Sequence, residues 1–145
     1  MKKLFNTSKN GESIIELVGA LSVILIVILA LISGITAAVN SNNFSRTKSQ
    51  ATNYAQEGME NLRGYRDTDW TIFLAAADGE FHGLAGNLPS GVCSENSPII
   101  SGTNFVRCAK LEKVDDTKVK ATIKVTWVDS KGTSKSELVS YFTKW

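Results

Sequence analysis

The sequence predicts an α+β fold in which a long N-terminal helix precedes an antiparallel β-sheet. Three patterns support this prediction: an uncharged apolar run at 17–32, apolar residues at helical spacing between Phe44 and Tyr65, and alternating apolar residues at 118–128. Helical spacing puts side chains on one face of a helix, whereas alternation puts them on one face of a strand. The chain has 145 residues, about one domain, and its formal net charge of +2 indicates no general affinity for nucleic acid or acidic substrates.

The apolar segment lies close to the N-terminus and is long enough to cross a membrane. Residues 17–32 read LVGALSVILIVILALI, and between Ile14 and Ile35 only Glu16 carries a charge. About 20 helical residues span a hydrocarbon core of roughly 30 Å. Lysines precede the segment and no matching cluster directly follows it. This asymmetry predicts a cytoplasmic N-terminus and an extracytoplasmic body.

An ordinary secretory signal is the alternative interpretation of this N-terminus. Small residues such as Ala37 and Ala38 could then form a cleavage site. However, the apolar run is longer than a usual signal core, and Glu16 lies near its beginning. A carboxylate costs up to about 2.5 to 3.5 kcal/mol at the centre of a membrane helix and less near its end. We therefore expect Glu16 to have a role that compensates for its charge.

The residues that flank Glu16 complete a recognisable motif. The segment KNGESIIELVGALSVILIVILALI resembles the class III signal of type IV pilins and type II secretion pseudopilins. The resemblance implies cleavage after Gly11, so that Glu12 becomes the first mature residue and a candidate for N-methylation. It also implies that Glu16, the fifth mature residue, acts in assembly. Glu12 departs from the Phe usual at this position, and Ser33 with Gly34 stand near where the family often has Pro.

The same resemblance implies a structural role. The sequence has no GxSxG nucleophile turn, no phosphate-binding GxxxxGK[ST] loop and no Ser, His, Asp set, so neither catalysis nor a cofactor is expected. The protein would be a pilin or pseudopilin subunit of an extracytoplasmic type IV pilus-like filament. Its expected partners are the prepilin peptidase, other pilin subunits, the assembly platform membrane protein and the lipid bilayer. It would cross the cytoplasmic membrane once, with its N-terminus inside, before joining a periplasmic or cell-surface filament. The alternative is a single-span membrane-anchored extracytoplasmic binding or sensor domain.

The implied pilin fold divides the chain into consecutive segments. They are a leader peptide at 1–11, a transmembrane and assembly helix at 12–35, an amphipathic helix at 36–66, a variable loop region at 67–103 and an antiparallel β-meander at 104–145. The amphipathic helix carries an apolar stripe expected to lie on the body, formed by Phe44, Ala51, Tyr54, Ala55, Met59, Leu62 and Tyr65. Gly64 and the acidic cluster at 67–69 are expected to end it.

Within the body, turn formers and alternation predict the remaining elements. The expected order is a short helix at 70–77, a loop at 78–91, strands at 104–113, 118–128 and 135–143, and a turn at 129–132. In the central strand one face is expected to pack in the core, with Val119, Ala121, Ile123, Val125 and Trp127. The body is thus predicted to bury one face of its sheet.

The two cysteines, Cys93 and Cys108, are expected to form a disulfide because the body is predicted to lie outside the cytoplasm. Two buried thiols are the alternative. No metal site is predicted, since the sole histidine, His82, has no second ligand at suitable spacing. Loop carboxylates at 67, 69, 78 and 80 lack the pattern of a calcium loop and are expected to be solvated.

Lysines on the other face of the central strand leave one binding role open. They are Lys118, Lys120, Lys124, Lys131 and Lys135. A filament that displays this face could bind DNA or another anionic surface. Lysines that protect a solvated sheet edge are the commoner explanation, and the sequence favours it.

Overall fold

The computed structural model describes residues 10–84, 89–94, 100–129 and 132–145. In order, these ranges contain helix α1 at Asn10–Thr68, helix α2 at Trp70–Ala75, and strands β1 at Asp78–Gly83, β2 at Ser90–Val92, β3 at Val106–Asp115, β4 at Lys118–Asp129 and β5 at Gly132–Thr143. The α+β fold with a long N-terminal helix and an antiparallel sheet is therefore confirmed. Residues 1–9 of the predicted leader, and Lys131, lie outside the described residues.

The chain divides into two compact units, Met1–Asn43 and Phe44–Trp145. The described part of the first unit is the apolar part of α1. All its side chains from Ile14 to Asn43 are exposed in the isolated chain. This helix is long and apolar enough to cross a membrane, so a candidate single span is present where the hydropathy of the sequence predicts it.

The second unit contains one antiparallel five-stranded sheet, with strand order β2-β1-β3-β4-β5. Strands β3, β4 and β5 form the predicted meander, in which Ile123 of β4 pairs with Ala109 of β3 and Leu138 of β5. The core consists of one face of this sheet and the apolar stripe of α1, and its largest fully buried side chains include Phe73, Phe142, Leu62, Leu84, Leu111, Ile123, Val119 and Val125. Alternation along β4 thus produces the buried sheet face.

The predicted apolar pattern of β4 is confirmed in the second unit, and that of α1 is confirmed for five of its seven residues. On α1 the buried residues are Ala51, Ala55, Met59, Leu62 and Tyr65, whereas Tyr54 is only partly buried and Phe44 is 39% exposed. On β4 they are Val119, Ala121, Ile123, Val125 and Trp127. The intervening residues of β4 from Lys118 to Thr126 are only partly exposed, because contacts on the outer face also cover them.

The predicted continuous loop at 78–91 is wrong, since β1 lies within it and β2 begins in it at Ser90. Strand β1 pairs with β3 along its length, and its register shifts between Asp78 and Phe81. Gly79, within this shift, has a φ of 82°, which glycine adopts without strain. The sequence DGEFHG does not alternate, so its strand conformation arises from pairing with β3 and not from local preference.

The boundaries of the other elements differ by a few residues. Helix α1 ends at Thr68, as the acidic cluster predicts, and the Asp69 carboxylate accepts hydrogen bonds from the backbone N–H groups of Thr71 and Ile72 at 2.7 and 3.2 Å. Asp69 therefore caps α2 as well. Helix α2 ends at Ala75 and not at 77, because the chain must enter β1 at Asp78. Strand β3 is displaced by two residues from its prediction, and β5 begins at Gly132, the partner of Asp129.

Candidate functional site

The predicted cleavage and assembly residues lie at the start of α1. Gly11 and Glu12 belong to its first turn by backbone conformation, and Glu16 follows Glu12 by four residues. Residues four apart lie on the same face of a helix, about one turn from each other. Within the described residues, Glu16 is the only charged side chain between Ile14 and Val39. The helix thus places the new N-terminus expected at Glu12 about one turn from the carboxylate of Glu16.

Three hydroxyl groups of the apolar helix, among the side chains that the structure describes, donate hydrogen bonds within the helix. Ser22 donates to the carbonyl of Val18 at 2.8 Å, and Ser33 donates to the carbonyl of Leu29 at 2.9 Å. Thr36 donates in the same way to the carbonyl four residues before it. A hydroxyl bonded to its own helix needs no water, which suits a hydrocarbon environment. Glu16 differs, because no described side chain pairs with it.

A buried arginine that sequence reasoning missed joins three parts of the body. Arg107 of β3 has a side chain only 4% exposed, and its Nη1 lies 3.0 Å from Oε1 of Glu57 on α1. Nη1 also donates to the carbonyl of Tyr54 at 3.2 Å, and Nε donates to the carbonyl of Leu84 at 3.1 Å. The guanidinium thereby ties β3 to α1 and to the residue that follows β1. The only sequence signal is its position on the inward face of β3.

A glycine makes room for this arginine. A Cβ atom added to Gly58 of α1 would lie 3.0 Å from Cδ of Arg107 and 3.2 Å from Cδ2 of Leu84. These contacts are tighter than ordinary van der Waals distances. The absent side chain at 58 therefore allows α1 to approach the sheet closely enough for Arg107 to reach two backbone carbonyls.

The structure joins Cys93, which follows β2, to Cys108 of β3. Their Cα atoms are 5.8 Å apart, within the usual range for a disulfide. Cys108 is buried on the outer face of β3, whereas Cys93 is partly exposed. The bond connects residues separated by 15 positions and thus fastens the end of the edge strand to the interior of the sheet.

We expect Cys93→Ser to lower the free energy of unfolding by about 3 kcal/mol, the value for closing a loop of this length. The measurement is denaturant unfolding of the full chain in detergent, followed by tryptophan fluorescence. All three tryptophans lie in the second unit, so the signal reports on the body. Reduced wild-type protein should match the variant. Equal stability of oxidised and reduced wild-type protein would instead favour two buried thiols.

The predicted lysine face exists, but its described lysines have partners on the body. Lys120 and Lys110 lie 2.9 and 3.1 Å from the carboxylate of Glu112. The hydrogen bond from Lys120 is the main cause that lowers the pKa of Glu112, and the same bond raises the pKa of Lys120. The ammonium of Lys124 lies 4.2 Å from the ring centroid of Phe81.

The remaining lysines of this face are engaged in the same manner. The ammonium of Lys118 lies 4.6 Å from the ring centroid of Tyr141, and that of Lys135 lies 3.0 Å from Glu137. These contacts neutralise or cover the positive charges of the described part of the face. Binding of nucleic acid through this face stays the less favoured alternative, and a solvated lysine face stays the prediction.

The other polar residues considered for metal binding have local structural partners. Asp67 pairs with Arg66 at 2.6 Å, Asp69 caps α2, and Asp78 lies 2.6 Å from the ring of His82. Among the described residues no group of three His, Cys, Asp or Glu side chains is close enough to hold a metal ion. The loop carboxylates that the structure describes therefore organise turns and strand ends.

The geometry of α1 and the body can also be compared with known proteins. The chain matches no family model, no curated protein and no solved structure. The candidate site rests on the structure and the sequence alone. It consists of Gly11, Glu12 and Glu16 at the start of an exposed apolar helix, in a chain that also carries an α+β body.

Proposed function

We propose that this protein is a structural subunit, a pilin or pseudopilin, of an extracytoplasmic type IV pilus-like filament. It is inserted in the cytoplasmic membrane with its N-terminus inside, cut after Gly11 by a prepilin peptidase, and polymerised through α1. Its partners are that peptidase, the assembly platform membrane protein, the lipid bilayer and other subunits. The body adopts a pilin fold in this proposal.

One observation carries the proposal: a fully exposed apolar segment of α1 whose one charged residue between Ile14 and Val39 is Glu16. Side chains from Ile14 to Val39 are exposed on every side of α1, so water is an unsuitable environment for this segment. A membrane covers such a helix, and so does a bundle of identical helices in a filament core. Glu16 favours the filament, since a simple anchor gains nothing from a charge in its apolar segment.

Cleavage would supply the missing partner for Glu16. Cutting after Gly11 releases an α-amino group on Glu12, one helical turn from the Glu16 carboxylate. Opposite charges attract more strongly where water is scarce. In the filament the carboxylate of one subunit pairs with the amine of its neighbour, which fixes the axial position of each new subunit.

The N-terminus of the mature protein tests this proposal directly. The full chain is expressed with a prepilin peptidase, and the purified product is analysed by intact mass and N-terminal peptide mass spectrometry. We expect a chain that starts at Glu12, with or without a methyl group, and that retains the apolar helix. Expression with a catalytically inactive peptidase serves as the control.

Two other products would contradict the proposal. A chain that keeps Met1 in the presence of active peptidase would favour the membrane-anchored binding or sensor domain. A chain cut after the apolar segment, near Ala37 and Ala38, would favour an ordinary secretory signal.

A further inference from the structure

The sole histidine bridges the edge strand β2 to the body. His82 lies on β1, and its Nε2 is 2.6 Å from Oδ2 of Asp78. Its Nδ1 is 3.2 Å from the carbonyl oxygen of Gly91 on β2. The other oxygen of Asp78 accepts a hydrogen bond from the backbone N–H of Glu80 at 2.9 Å. Both ring nitrogens thus face an oxygen that only accepts hydrogen bonds.

This geometry distinguishes the charged ring from the neutral one. The imidazolium carries a proton on each nitrogen and can donate to Asp78 and Gly91 together. A neutral ring donates from one nitrogen only, so the lone pair of the other would face an oxygen at 2.6 or 3.2 Å. One of the two contacts must therefore lengthen when the ring loses its proton.

We propose that protonated His82 is a pH-sensitive clasp that holds the edge strand β2 on β1 and that opens when the ring is deprotonated. The proposal is independent of the filament function, because it concerns only residues of the body. It predicts that the outer edge of the sheet is ordered in mildly acidic surroundings and loosens as the medium becomes alkaline.

The charges around the ring favour its protonation. On β1, Asp78 accepts its hydrogen bond and Glu80 adds a second negative charge, whereas the described residues of β2 carry no charge. The main cause that raises the pKa of His82 is the hydrogen bond to Asp78; partial burial opposes it, and the Gly91 carbonyl and the charges of Asp78 and Glu80 add to it.

The strand next to β1 places no charge directly opposite the ring. On β3 the residue opposite His82 is Ala109, and Arg107 lies two residues before it on the same sheet face. The guanidinium of Arg107 is engaged by Glu57 of α1. The charges that act on the ring are those of Asp78 and Glu80.

The sign of the pH dependence follows from these shifts. The pKa of His82 in the folded chain is above its ordinary value of 6.5, so the stabilisation is complete below 6.5 and disappears as the pH rises through the folded value. The pKa of Asp78 is lowered from 3.8, chiefly by the N–H of Glu80, so its contribution is lost only in stronger acid. The clasp is closed at pH values between the folded-state pKa of Asp78 and that of His82.

Strand β2 is suited to respond because little else holds it. It has three residues, all exposed, and among the described strands it pairs only with β1, through His82 with Val92 and Gly83 with Ser90. The register shifts between those two pairs. The disulfide at Cys93 keeps the chain attached to β3, so opening is confined to the pairing of β1 with β2.

The test combines ring titration and hydrogen exchange on the full chain in detergent micelles. Because the chain has one histidine, its ring resonances give the pKa of His82 without assignment ambiguity. Amide exchange across 90–93 is then measured at pH 5.5 and 8, after correction for the intrinsic rate, with β4 as internal reference. We expect a pKa above 6.5 and about fivefold greater protection at the lower pH, the factor expected for one hydrogen bond.

Two variants distinguish the clasp from a passive contact. His82→Gln should show the weaker protection at both pH values. The glutamine amide has one donor nitrogen, so it cannot replace the two N–H groups of the imidazolium. Asp78→Asn should lower the pKa of His82 and shift the change in protection to lower pH. A ring that titrates at or below 6.5, or wild-type protection that does not change with pH, would overturn the proposal.

Discussion

Replacing Arg107 by Ala should reduce the free energy of unfolding of the body by about 3 to 5 kcal/mol. This is the largest loss of stability that we expect from a single substitution. The truncation leaves a cavity between β3 and α1, and it removes the donor from the buried carbonyl of Leu84. A domain of this size loses about 4 to 8 °C of Tm for each kcal/mol. We therefore expect Tm to fall by more than about 10 °C, measured by tryptophan fluorescence of the full chain in detergent.

Two comparison variants test the physical reason. Lys113→Ala removes the same charge from the same strand, but the Lys113 side chain is half exposed and pairs only with exposed Asp116. We expect an effect below about 0.5 kcal/mol. Arg107→Met fills most of the volume without the charge and should lose distinctly less stability than Arg107→Ala. If Arg107→Ala costs no more than Lys113→Ala, the buried guanidinium does not hold β3 to α1.

The parts of the fold that local patterns specify could be predicted, and the parts that depend on distant partners could not. Alternation along β4 identified every buried residue from Val119 to Trp127, because a strand with one buried face must alternate. Strand β1 has no such pattern, since its conformation depends on pairing with β3. Nothing in DGEFHG indicates that partner.

The same distinction applies to the candidate sites. Gly11, Glu12 and Glu16 are close in sequence, so helical geometry alone brings them together. The partners of Arg107 come from 23 to 53 positions away along the chain. The contact of His82 with Gly91 likewise requires the register of two strands. Polar contacts of this kind become visible only when the fold is known.

Replacing Glu16 by Ala should leave cleavage after Gly11 intact but reduce incorporation into filaments at least about tenfold, since even a modest charge pair in an environment with little water is worth a factor of ten. The measurement compares the mature variant in sheared filaments with the mature variant in membranes, by quantitative immunoblot. Glu60→Ala is the matched control. It removes an exposed carboxylate of the same helix that pairs with Arg63 three residues further on, and it should assemble as the wild type does.

Co-expression of Glu16→Ala with the wild-type chain tests whether the carboxylate acts on a neighbouring subunit. The variant lacks a carboxylate but keeps the α-amino group on Glu12, which Glu16 of a wild-type neighbour can bind. We therefore expect the variant to enter mixed filaments more often than it assembles alone. If incorporation of the variant does not increase, Glu16 acts within its own subunit. If Glu16→Ala alone assembles at the wild-type level, the charge pair has no role in assembly, and the apolar helix is sufficient for it.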